Sequence, residues 1–304
     1  MSEASIILPA FNESKYIARC INSIKNQTIE DFECIVIDDG STDNTYTAIK
    51  EAVGSDKRFS VISQSHQGLS EARNAGIDAS SSDIVYFVDA DDFIRPQMIE
   101  KSIRFLNDNN LDIAFFDAEP INQGKRKYTF AADQNYFVRK TTYEICSGKA
   151  MLERMLANND YVYAVFIQAI RKSAIKYRFY PGMRVQDELY TTQNLILADR
   201  VGHFNGNLYF KICRLDSVSS SQQDVRYAWS RMKAITELLS FSEREWLTQE
   251  DSNSLILPIV QRMSSQLAKT LRDIQLSEID QLNELSFYDR TILKEAAKMA
   301  QKII

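Results

Sequence analysis

The stretch VYFVDADDF, residues 85–93, runs an apolar strand directly into Asp89, Asp91 and Asp92, with Ala90 the only neutral residue in the acidic cluster. Carboxylates this close repel by about 1 kcal/mol per pair in water, and by several times that against a low-dielectric wall. Such a strand end is either a solvated acidic turn or the seat of a cation. A calcium loop needs further oxygen ligands at regular spacing and a mid-loop glycine, and Phe93-Ile94-Arg95-Pro96 supplies neither. A DxDx[TV] phosphatase would use Asp89 as its nucleophile, but Phe93 stands in the Thr/Val place, after Asp92, and this strand is the fourth in its series. The cation reading that remains is Mg²⁺ or Mn²⁺, held by one or two carboxylates and completed by a diphosphate.

Upstream, the runs SIIL (5–8), CIVID (34–38), FSVI (59–62) and IVYFV (84–88) read as strands buried on both faces. Helical patterns separate them. Tyr16, Ile17, Cys20, Ile21 and Ile24 recur at helical spacing, Thr45–Ala52 is helix-compatible, and Ser70–Ala79 sets Ala72, Ala75 and Ala79 on one side. Alternation of this kind predicts an α/β fold with a mostly parallel sheet, in which ligands sit beyond the carboxyl ends of the strands. Four polar segments fall there: Pro9–Glu13, Asp38–Asp43, His66–Asn74 and Asp89–Asp92.

Beyond Pro96 the sequence predicts a helix through Leu106 with proline in its first turn, then the strand DIAFFDAE (112–119). The pattern loosens over 123–144. Met151–Leu156 reads as helix, Tyr161–Ile170 as a buried segment, 185–200 as helix and LYFKIC (208–213) as strand. At SVSSSQQ (217–223) the composition shifts, and the remainder is glycine-free and rich in helix formers. This places a domain 1–220, with halves 1–120 and 121–220, before a helical region 221–304. Three amphipathic helices are expected in that region, around residues 232–239, 256–274 and 292–300.

The 304 residues carry a net charge of −5, which disfavours a general nucleic-acid surface. Cys20, Cys34, Cys146 and Cys213 form no CxxC pair, so neither a zinc site nor a disulfide framework is indicated. The start MSEASIILPAFNE lacks a signal-peptide pattern, and no window is long and apolar enough to span a bilayer. A cytoplasmic location, extending to the inner face of the cell membrane, is expected.

Taken singly, the polar motifs have ordinary readings. Asp38 and Asp39 in IDDGSTDNT suit a strand-to-helix turn, although a carboxylate there can also accept from a base N–H or a ribose hydroxyl. Arg73 fits poorly in the small-residue helix GLSEARNAG and suits an anion instead. Asp187 and Glu188 match the dipole at a helix start, yet a carboxylate projecting from there into a cleft suits a general base.

Their order carries more information than any one of them. SIILPAFNE, CIVIDDGSTDNT, GLSEARNAG and IVYFVDADD, in succession, resemble the family 2 glycosyltransferases of the GT-A fold, over residues 4–120 and more loosely over 180–220. The resemblance implies an inverting transferase that moves a sugar from a nucleotide diphosphate sugar, a UDP-sugar foremost, to an acceptor hydroxyl. It assigns Pro9, Ala10, Phe11 and Glu13 to the nucleotide-lining loop, Asp39 to the base, and Arg73 with Asn74 to the base and diphosphate. Asp89 and Ala90 fall on the nucleotide side of the DxD, Asp91 with Asp89 on the metal, and Arg214 on the diphosphate. Asp187 of QDEL matches the catalytic base, while Gln186 stands where the family usually has Glu. The implied cofactor is Mn²⁺ or Mg²⁺. The implied partners are a nucleotide-sugar donor and a glycan or lipid-linked glycan acceptor, in bacterial surface polysaccharide synthesis. Peripheral membrane contact and a homodimer through the C-terminal helices stay open. The alternatives are an inactive nucleotide-sugar-binding or scaffold protein on the same fold, and a DxD phosphatase.

Overall fold

Strand β1 (Ala4–Ala10) is buried along its whole length because it lies at the centre of a parallel unit. It pairs in parallel with β2 (Phe32–Asp38) on one side and β4 (Ile84–Phe87) on the other, and β2 pairs in parallel with β3 (Phe59–Ser63). The crossovers are α1 (Ile17–Lys25), α2 (Thr45–Val53) and α3 (Leu69–Ala79). A Cβ on Gly76 of α3 would fall 2.3 Å from Ile7 Cγ2, so only glycine lets this helix lie flush on β1. That close approach sets the height of Arg73, one turn earlier, against the strand ends. In a computed structural model of the chain, residues 2–123, 137–214, 224–281 and 285–302 are described.

The sheet is completed by β5 (Phe93–Ile94), β6 (Ile113–Gln123), β7 (Gln168–Arg171) and β8 (Val201–Arg214), in the order β3-β2-β1-β4-β7-β6-β8-β5. Strand β7 runs antiparallel to both β4 and β6, β8 is parallel to β6, and β5 is antiparallel to β8. Sequence order reverses between β1 and β4, and the loops after those two strands open on the crevice such a reversal creates. Helices α4 (Met98–Asp108), α5 (Gly148–Ala157) and α6 (Asp187–Leu197) pack around the sheet.

Some expectations need correction. Strand β3 is the sheet edge, with Ser60, Ile62 and Ser63 exposed, and is not buried on both faces. Pro96 stands ahead of α4, whose N-cap is Gln97, and not in its first turn. Strands β5 and β7 were not foreseen as strands, and β8 starts seven residues before the expected run at Leu208. The loosened stretch lies largely outside the described residues, as does the composition break at 217–223.

The C-terminal helices are α7 (Val225–Arg244), the short α8 (Gln249–Asp251), α9 (Leu257–Asp273), α10 (Leu276–Gln281) and α11 (Phe287–Lys302); a π-helical turn, Ser252–Ile256, leads into α9. Helices α7, α9 and α11 fall where the periodicity puts them. Their apolar faces do not form a separate core. Ala228, Trp229, Phe241, Ile259 and Met263 belong to the same buried cluster as Ile7, Val85 and Phe87 of the sheet. At roughly 1.5–3 kcal/mol for each fully buried large side chain, this packing makes the helices and the sheet one body. No described helix is long and apolar enough to cross a membrane.

Candidate active site

The first two strand-end loops are stitched together before any ligand arrives. Asn12, in the left-handed region at φ 55°, accepts through Oδ1 from the Thr42 and Asp43 amides, and its own amide donates to Ser41 Oγ. The Glu13 amide donates to Thr45 Oγ1. Gly40 must be glycine, because its φ is +71° and a Cβ would meet the His66 nitrogen at 2.7 Å. Asp39, 2% exposed, then ties the second loop to the third. Its carboxylate accepts from the Gln67 amide at 2.9 Å, the Gly68 amide at 2.8 Å and Gln64 Nε2 at 2.7 Å, and His66 Nδ1 lies 2.8 Å from Oδ2. The His66 ring stacks on Phe11 at 3.9 Å between centroids.

Arg73 is 1% exposed and spends its two terminal nitrogens on different elements. Nη2 donates to Asp89 Oδ1 at 2.9 Å and Nη1 to Asp187 Oδ1 at 2.6 Å. One guanidinium therefore joins the DxD loop to the first turn of α6. Asn74 is placed differently. Both ends of its amide bond the Phe179 backbone, at 2.8 and 3.0 Å, so it pins the segment leading to Asp187. Gln186, 1% exposed, accepts from Ser70 Oγ and serves as a strut between α3 and α6.

At the acidic cluster, carboxylate oxygens of Asp89, Asp91 and Asp92 lie within 4.8 Å of one another. Lys211 of β8 reaches all three. Its Nζ lies 3.0 Å from Asp89, 2.9 Å from Asp92 and 3.8 Å from Asp91. Asp92 also accepts from the Tyr209 hydroxyl and the Ile212 amide, each at 2.7 Å. Three donors on a fully buried carboxylate make it the anchor that fixes β8 beneath the cluster. Burial pushes the Asp92 carboxyl up, and the Lys211 ammonium opposes it. Burial works against ionisation of Asp89 as well, but there Lys211 and Arg73 outweigh it and hold the carboxyl at about 2. Arg214 pairs with Asp91 and Glu13, both at 2.8 Å, and lies over the Tyr16 ring.

Pro9, Ala10, Phe11, Glu13, Asp39, Arg73, Asp89, Ala90, Asp91, Asp187 and Arg214 thus gather at the ends of β1, β2, β4 and β8, on α3 and at the start of α6. Lys211 and Tyr209 were missed by sequence reasoning. A lysine inside the apolar strand LYFKIC was the available signal, since a buried ammonium requires a carboxylate partner.

A curled α/β sheet with a carboxylate cluster at its topological switch is the architecture of the GT-A transferases. The chain belongs to glycosyl transferase family 2, whose match spans residues 5–179, and it is a glycosyltransferase. The phosphatase alternative falls with that match. GlyG, a glycosyltransferase of Streptococcus pneumoniae serotype 4, is 24% identical over 243 residues, covering 79% of this chain and 81% of GlyG. The crystal structure of S. aureus TarS in complex with UDP-GlcNAc superposes with a TM-score of 0.65 at 19% identity, covering 99% of this chain and 91% of that one. The mannosyltransferase PcManGT of Pyrobaculum calidifontis, in complex with GDP-Man and Mn²⁺, gives a TM-score of 0.59 at 14% identity, covering 99% and 87%. At these identities the two structures speak to the fold.

Proposed function

We propose that the protein transfers a sugar from a nucleotide diphosphate sugar, a UDP-sugar foremost, to an acceptor hydroxyl with inversion of the anomeric centre. The observation that carries this reading is the Arg73 bridge, which sets a base candidate, Asp187, across one guanidinium from Asp89. Asp187 takes the proton of the acceptor hydroxyl as its oxygen bonds the anomeric carbon. The bond from that carbon to the β-phosphate oxygen breaks on the opposite face, and the electron pair leaves with the nucleoside diphosphate. Arg214 and Lys211 lie on the side where that negative charge grows, and fixed cations there act without reorganisation.

The residues suit a divalent cation. Asp89, Asp91 and Asp92 are hard oxygen donors within reach of one another. Among the described residues, Asp89 and Asp91 are ion-paired to Arg73, Lys211 and Arg214, side chains that a diphosphate and its cation can re-pair. Asp91, with Asp89, would hold Mn²⁺ or Mg²⁺, whose bound chemistry is Lewis-acid neutralisation of the diphosphate. Asp92 is committed to β8 and stays behind. The Mn²⁺ in the PcManGT complex supports this reading.

Phe11 and Asp39 are the base-side groups in this reading, with His66 against both. The acceptor is a glycan or lipid-linked glycan in bacterial surface polysaccharide synthesis, at the inner face of the membrane. The UDP-GlcNAc bound in TarS supports a UDP-sugar donor. The test is a thermal-shift panel of UDP-glucose, UDP-galactose, UDP-GlcNAc, UDP-glucuronate and GDP-mannose with Mn²⁺, because a bound donor stabilises the native state by mass action. One member should raise the melting temperature well above the others, and no shift with any of them contradicts the proposal.

A further inference from the structure

Asp187 and Glu188 are consecutive on the first turn of α6, so their side chains diverge by about 100° around the helix. Asp187 faces Arg73. Glu188 faces away, with no exposed surface, and meets the C-terminal helices. Arg231 of α7 donates to one carboxylate oxygen and Arg262 of α9 to the other. Arg231, 2% exposed, also bonds Tyr227, and Arg262 lies 5.6 and 5.5 Å from the rings of Tyr161 and Tyr163.

Contacts from α7 continue along the segment entering α6. The Arg184 amide donates to Ser230 Oγ at 3.0 Å, Arg184 Nη1 pairs with Asp224 at 2.6 Å, and a Cβ on Gly182 would sit 3.6 Å from the Trp229 ring. On the opposite side, α3 holds the same segment, with Glu71 accepting from the Gly182 amide at 2.9 Å and Asn74 bonding Phe179. The segment is therefore clamped between the nucleotide side of the molecule and its C-terminal helices.

We infer that Glu188, Arg231 and Arg262 form a positioning device for the catalytic base, through which the C-terminal helices complete the active site. A buried carboxylate between two guanidiniums is costly to desolvate and gains little stability over apolar residues of similar size. What it supplies is direction. With both oxygens of Glu188 committed, the first turn of α6 cannot rotate, and Asp187 is aimed at the donor. A displacement of about 1 Å at a reacting group costs roughly 10²-fold in rate.

The inference rests on Asp187 being the base. Its test compares Glu188→Gln, Arg262→Met, Arg262→Lys and Asp187→Asn in the full chain, with UDP release from the panel's best sugar nucleotide as the turnover assay. Turnover is normalised to binding sites titrated with UDP and Mn²⁺, which removes any unfolded fraction. Glu188→Gln and Arg262→Met should lower kcat by about 10- to 100-fold with donor KM and UDP affinity within twofold of wild type, and Arg262→Lys should recover most of the loss. Arg262 is the partly exposed member of the triad and keeps the test open where Glu188→Gln folds poorly. Normal kcat in Arg262→Met, or a kcat loss matched by lost UDP affinity, overturns the inference. If Asp187→Asn is inactive while the other variants turn over normally, the positioning device alone fails; if Asp187→Asn is fully active, the base assignment fails.

Discussion

Arg73 Nη1 lies 2.6 Å from Asp187 Oδ1, and this contact ties the nucleotide-side helix to the proposed base. The arginine comes from α3 and the aspartate from α6, 114 residues later, so one buried side chain links the two elements directly. Replacing Arg73 with Met leaves Asp187 without its cation and Asp89 with Lys211 alone. We expect a stability loss of about 3–5 kcal/mol in urea unfolding and a fall in UDP release of about 10²- to 10³-fold. Turnover within a few-fold of wild type would show that the bridge is not part of the chemistry.

Lys211 fills the acidic cluster from below with a fixed positive charge. Lys211→Met keeps the length of the side chain and removes that charge. Binding of Mn²⁺ without nucleotide, read as loss of the free Mn²⁺ signal by electron paramagnetic resonance, should tighten by at least about tenfold. The melting temperature should fall, because Asp92 loses its charged partner. Unchanged Mn²⁺ affinity would place Lys211 outside the electrostatics of the site.

Asp89 gives a stability effect with a definite pH window. Its folded-state value of about 2 lies below the ordinary carboxylate value near ~3.9. The stabilisation from ionised Asp89 is therefore fully present above about pH 4 and is lost as pH falls through about 2. The difference in unfolding free energy between wild type and Asp89→Asn should be fully developed at pH 5, below the range in which Asp92 titrates. It should shrink by on the order of 2 kcal/mol on acidification to pH 2. A difference that does not change with pH would contradict the ion-pair account.

In the proposed reading Asp39 organises the base side. Asp39→Ala frees the Gln67 and Gly68 amides and Gln64 Nε2, and hydrogen bonds to a charged acceptor are worth about 1.5–3 kcal/mol each. UDP affinity measured by calorimetry should fall at least tenfold. Retained affinity would remove Asp39 from the nucleotide site.

The parallel half of the fold was legible because β1, β2 and β4 are continuous apolar runs with helical patterns between them. Strand β5, two residues long, and β7, four residues long, gave no periodicity to read. Asp89, Asp91, Arg73 and Asp187 could be singled out because charged residues at strand ends and helix starts break the surrounding pattern. Lys211 contacts Asp89 from 122 residues away, and no local spacing encodes that pairing. Asp92, unexplained by sequence alone, becomes clear only once β8 is in place beneath it. Asn74 shows the opposite limit, since its motif is intact but its amide is committed to the Phe179 backbone. The C-terminal helices were legible as helices, while their hold on Glu188 depends on tertiary packing.

The most direct test of the central claim is the turnover of Asp187→Asn alongside its binding of UDP with Mn²⁺. The substitution preserves shape and removes the proton acceptor. UDP release in the presence of acceptor should fall by about 10²- to 10⁴-fold, with UDP affinity within twofold of wild type. Turnover equal to wild type in a variant that binds UDP normally would contradict the assignment of Asp187 as the base.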